Sequence, residues 1–118
     1  MANELCERTF AFARCIVCLC RKLDKDPGVG RTLCRQLLRS GTSIGANVEE
    51  GQGGQSRADF VSKMQIACKE ARETHYWLRL IVAADVLPAD ELASLVQESN
   101  ELVAILTAII RNTKANTR

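Results

Sequence analysis

The stretch Arg39–Phe60, RSGTSIGANVEEGQGGQSRADF, decides the fold. It sets Ser, Thr, Gly and Asn where a helix would bury apolar residues, and it ends in a Gly-rich run that could pass for a phosphate-binding loop. Such a loop follows a strand and carries a Lys at a fixed place. No strand pattern precedes GQGGQ, and no Lys follows where it is needed. A tight turn between two helices fits the residues better. Leu33, Leu37, Ile44 and Val48 recur on one side of a helix over about Arg31 to Glu50. Gly51 then stands where a left-handed C-terminal cap is wanted. Ser56, three residues before Asp59 and just ahead of Phe60, reads as a capping box with Asp in place of Glu.

Working outward from that turn, Phe60, Met64, Ala67, Ala71, Thr74, Leu78 and Ile81 step by four and three, with Val61, Cys68 and Val82 widening the stripe. This is the seam of a third helix, about Ser56 to Asp85. Upstream, Leu5, Thr9, Phe12, Ile16, Leu19 and Leu23 make one stripe over about Asn3 to Leu23, and DKDPGVG (Asp24–Gly30) breaks it. Downstream, Pro88 suits the first turn of a new helix whose N-terminus Asp90 and Glu91 favour. Its stripe is Leu92, Leu95, Ser99, Leu102, Leu106 and Ile109, and the polar tail, about 112–118, is expected to fray. Four amphipathic helices with short connections fold most simply as an all-α, up-down-up-down antiparallel four-helix bundle, one domain over 1–118.

Composition agrees. At 118 residues the chain is of single-core size, and with only 4% aromatics its core must be aliphatic. No apolar run reaches the ~18 residues of a membrane span, and the start MANELCERTF lacks a signal peptide's pattern. We therefore expect a cytoplasmic chain with no membrane partner. The six cysteines include one CxxC, Cys15 and Cys18, but no second one, and the only His is His75. Familiar zinc spacing is missing, so no metal or other cofactor is expected, and the thiols read as small buried hydrophobes. Cys15 and Cys18, three apart, could share one buried face, with Cys20 pointing elsewhere.

Several polar or small residues inside the helices need partners. Gly41 and Gly45 lie four apart and point to close approach of another helix. Ser43 and Asn47, also four apart, read as a polar network that fixes helix register; Glu49 and Glu50 could receive its bonds or be solvated. Glu70 and Glu73 lie a turn from Lys69 and Arg72 and are expected in ion pairs within or between subunits. Tyr76 and Trp77 point about 100° apart, so one can pack inside while the other meets a neighbouring subunit. His75, without a nucleophile or metal triad beside it, reads as flanking the core. No catalytic residues are assigned, and an enzyme is not expected.

Two motifs carry a resemblance. Ser43-Ile44-Gly45-Ala46-Asn47-Val48-Glu49-Glu50-Gly51 resembles the Ser-Ile-x-Ala-Asn-Ile-x-Glu-Gly of the bacterial four-helix-bundle family associated with intervening sequences of large-subunit ribosomal RNA genes. Lys69-Glu70, Glu73 and Tyr76-Trp77-Leu78 resemble that family's second motif. Gly45 replaces a residue that is often Pro there, which implies a less kinked second helix. The family also looks related to the accessory variability proteins of diversity-generating retroelements. The resemblance implies a non-enzymatic, ring-like homo-oligomer, a pentamer. In the retroelement relatives it implies binding to nucleic acid and to a reverse transcriptase, a partner only where such an element encodes the chain.

The charges are read separately. A net charge of +2 is too small to argue RNA or DNA binding. The distribution is more telling. Arg31, Arg35 and Arg39 form a basic stripe, with Arg14, Arg21, Lys22 and Lys25 shortly before it and Arg111, Lys114 and Arg118 in the tail. In an oligomer these would repeat and make several salt-sensitive phosphate contacts. No aromatics interleave with them, so binding would be sequence-nonspecific. The alternative is a solvated face on a protein-interaction module that ignores nucleic acid.

Overall fold

Each apolar stripe becomes the inner face of a helix. The computed structural model describes residues 2–116, which form α1 (Ala2–Leu23), α2 (Val29–Gln52), α3 (Arg57–Ala83) and α4 (Ala89–Ala115), with no strand among them. The bundle is 50 Å long and 20 Å across. Its core is aliphatic: Ile16, Leu23, Leu37, Ile44, Met64, Leu78, Ile81, Leu92, Leu102 and Leu106 are all fully buried. Each such side chain contributes roughly 1.5–3 kcal/mol by leaving water. By length and composition α4 could cross a bilayer, but in the bundle its Leu92, Leu102 and Leu106 are fully buried in the core.

The contacts run antiparallel throughout. A Cβ on Gly41 would meet Ile16, and one on Gly45 would meet Thr9, so α2 climbs as α1 descends. Gly51 faces Met64, whereas Ser40 bonds Thr74. Cys68 approaches Val103 and Thr107. Consecutive helices pack intimately; α1 and α4 meet far less and leave the bundle partly open along that seam.

The helix ends differ from expectation in three places. Gly51 is not a cap: α2 runs on to Gln52, the capping residue is Gly53 at φ −89°, and buried Gly51 makes room for Met64. Positive φ occurs instead at Gly28, the N-cap of α2 (φ 91°), and at Asp85 after α3. Asp85 has φ 57°, and the bonds from Asp85 N to Val82 O and from Val86 N to Ile81 O close α3 with a Schellman turn. Pro88 is the N-cap of α4 rather than its first helical residue. Ser56 caps α3 as expected, accepting from Asp59 N at 3.1 Å. The tail does not fray at Arg111. Helix α4 continues to Ala115, and Arg57 Nη1 donates to Asn116 O at 3.0 Å, tying its end to α3. Arg118 lies outside the described residues.

Candidate nucleic-acid interface and the motif seam

The two sequence motifs lie on α2 and α3, which pack against each other. Buried Thr74 donates to Ser40 Oγ at 2.9 Å, the polar contact that fixes register between these helices. The expected register pair, Ser43 and Asn47, does something more local. Asn47 Nδ2 donates to Ser43 O and Oγ at 2.8 and 3.0 Å within α2, and both residues are only half-buried. Ser40 sits nearer the stripe of Leu37 and Ile44, which is why it, and not Ser43, reaches the core. Glu49 and Glu50 are exposed, and Glu50 pairs with Lys63 at 3.6 Å.

Above this contact lies a charged cluster. Arg39 reaches across from α2 to Glu70, at 3.2 Å, and to Glu73. Trp77 Nε1 donates to Glu73 Oε2 at 3.0 Å. The motif glutamates are thus held by Arg39 from another helix, not by neighbouring Lys69 and Arg72. Sequence spacing shows only partners on the same helix, so it missed this one. Trp77 packs against the core from the edge and Tyr76 is exposed, their rings meeting edge to face at 5.1 Å. His75 is half-buried, and burial, then Arg79, holds its imidazole below the ordinary pKa.

The basic stripe divides into engaged and unengaged cations. Arg39 is spent on Glu70 and Glu73, Arg31 Nε pairs with Asp24 at 3.2 Å, and Lys22 pairs with Glu91 at 3.0 Å. Arg14, Arg21, Lys25 and Arg35 are exposed and form no ion pair among the described residues. They lie on the outer side of α1, on the turn after it and on α2. Arg14 and Lys22 also border a groove of about 600 Å³ along the open α1–α4 seam, walled by Phe10, Cys15, Cys18 and Leu95.

The cysteines correct one expectation. Cys15 and Cys18 are exposed, whereas Cys20, Cys34 and Cys68 are buried. Cys20 follows Ile16 by four and precedes Leu23 by three, so it shares their inner face; Cys15 and Cys18 fall toward the open seam. Cys20 and Cys34 each direct a thiol at the other's carbonyl, at 3.6 and 3.4 Å. Burial, then Cys34 and Asp24, pushes the Cys20 thiol up to about 12. No group of three or more metal-ligating side chains occurs among the described residues.

A clamp that sequence reading missed joins α1 to α4. Arg8 donates to both oxygens of Glu98 at 2.6 Å and to Glu101 at 2.9 Å. The bond to Glu98 raises the Arg8 pKa further above its ordinary value, and Gln97, then Arg8, lowers that of Glu101. Nothing in the spacing of Arg8 marks it, because its partners lie some ninety residues away.

The sequence model of the family described as 23S rRNA-intervening sequence protein matches residues 1–108. Among solved structures, the chain is similar to a protein of unknown function from the S23 ribosomal protein family of Bacteroides thetaiotaomicron. The two share 40% identity and superpose with a TM-score of 0.83, over 90% of this chain and 97% of that one. No curated protein matches the chain.

Proposed function

The chain belongs to the 23S rRNA-intervening sequence protein family, and from that premise we propose that it is a non-enzymatic, homo-oligomeric bundle that binds nucleic acid through its phosphates, without reading sequence. The observation that carries this reading is the set of exposed cations with no ion pair among the described residues: Arg14, Arg21, Lys25 and Arg35. A lone protomer of net charge +2 attracts polyanions weakly. Repeating that cationic edge around an assembly multiplies the phosphate contacts. Five copies in a ring is the assembly the family resemblance implies. A reverse transcriptase enters only where the gene sits in a diversity-generating retroelement, and the reading places the protein in the cytoplasm.

Native mass by light scattering, combined with anisotropy on mixed-sequence RNA and DNA, tests the proposal. An oligomer that binds both at low salt, and loses at least tenfold in affinity when Arg14, Arg21, Lys25 and Arg35 become Ala together, agrees with it. An oligomer indifferent to both polymers at low salt overturns it. That outcome favours the second reading, a protein-interaction module, which the exposed apolar side chain of Phe10 supports.

A further inference from the structure

Two cysteines meet across the α1–α2 interface. Cys20, in the last turn of α1, and Cys34, in the second turn of α2, are both buried and stand 14 positions apart in sequence. The Cys34 thiol donates to Cys20 O at 3.4 Å, and the Cys20 thiol to Cys34 O at 3.6 Å. Each side chain thus reaches the other residue's own main chain. Both Cβ vectors are therefore directed across the interface, as a disulfide requires. The helices are close along this interface: a Cβ on Gly45 would lie 3.3 Å from the Thr9 main chain.

The other thiols are not set this way. Cys15 and Cys18 lie three apart on one helix. Cβ atoms at that spacing are roughly 5–6 Å apart, wider than the roughly 3.5–4.5 Å of a disulfide, so joining them would distort α1. The Cys68 thiol turns to Val103 O and Thr107 Oγ1.

We propose that Cys20 and Cys34 are a redox-responsive pair, which a peroxide oxidises to a disulfide that staples α1 to α2. One thiolate attacks a peroxide oxygen and the O–O bond breaks, leaving a sulfenic acid and one water once the thiol proton is counted. The second thiolate attacks the sulfenic sulfur, the S–O bond breaks, and a second water leaves. Two thiols and one hydrogen peroxide become one disulfide and two waters, the sulfurs being oxidised and the peroxide oxygens reduced. The reaction is slow, because the thiolate is the attacking form and burial, then the neighbouring Cys34, pushes the Cys20 thiol up to about 12. Small thiols reverse it by exchange. The inference is independent of the nucleic-acid reading.

The test uses the full chain with Cys15→Ser and Cys18→Ser, so that exposed thiols do not join copies. The protein is held for hours with hydrogen peroxide, quenched with catalase, alkylated in denaturant and digested with trypsin. Cys20 and Cys34 then fall in separate peptides, residues 15–21 and 32–35. The expected product is the cross-link between these two peptides, with native helix content by circular dichroism. Its melting temperature is expected to rise by roughly 5–10 °C, since closing the loop constrains the unfolded chain, and dithiothreitol is expected to abolish both the cross-link and the rise. Adding Cys34→Ala, or Cys20→Ala if that variant loses helix, is expected to abolish both as well. Peptides recovered alkylated, or as sulfinic and sulfonic acids without the cross-link, overturn the proposal. So does a cross-link that forms only with loss of helix or leaves the melting temperature unchanged.

Discussion

Single residues in this bundle are sorted by which side of a helix they occupy, and the cysteines show it most plainly. Cys15, Cys18 and Cys20 span six positions yet divide into two exposed thiols and one buried. The thiolate is the reactive form, and the Cys20 thiol is pushed up to about 12 by burial and by Cys34. Brief alkylation of the native protein at pH 8 should therefore label Cys15 and Cys18 and spare Cys20 and Cys34, all four reacting once the chain is unfolded; peptide mass mapping reads the difference. Equal native labelling of Cys20 would contradict the packing of α1 on α2. This sorting was legible only in part. The sequence shows a CxxC, but which face of α1 is covered depends on where α4 lies, and the gap between α1 and α4 is a tertiary feature. The left-handed C-terminal cap was misassigned for a similar reason. Gly51 is a plausible cap by type, yet Asp85 takes that conformation because Val86 turns back onto Ile81.

Elements are positioned by small residues and by a few polar contacts. The approach of α1 to α2 depends on Gly41, where a Cβ would lie 2.8 Å from Ile16 Cγ2. On propensity alone Gly41→Ala would stabilise α2 by about 1 kcal/mol. Overpacking a core costs about 1–3 kcal/mol, and buried, β-branched Ile16 has little freedom to yield. Gly41→Ala is expected to lower the melting temperature, and Ile16→Val in the same chain to recover part of the loss. A rise in the melting temperature of the single variant would show that α1 can retreat at no cost. The helices, their order and nearly all core positions were legible because the apolar steps of three and four are local and each stripe finds its partner in the next element. The glycine approach was legible too, since two glycines four apart have few other uses in a soluble helix. The Arg39–Glu70–Glu73 cluster and the Arg8 clamp were not. Side chains that meet across helices leave no spacing in the sequence.

For the whole molecule, the account turns on which cations remain available to a polyanion. The basic residues were found by sequence, but their state was not: Arg39, Arg31 and Lys22 are engaged by carboxylates that only the fold brings near. Exposed Arg35 on α2 has no ion pair among the described residues, while Arg39, one turn on, is held by Glu70 and Glu73. These two arginines give the most direct comparison. The measurement is the slope of log binding constant against log salt for mixed-sequence RNA, on the wild type, Arg35→Ala and Arg39→Ala. Each lost phosphate contact lowers the slope by about one. The account predicts that Arg35→Ala lowers the slope by about one per site, whereas Arg39→Ala leaves it unchanged and reduces thermal stability instead. Binding that is insensitive to salt, or an equal loss of slope in both variants, would contradict it.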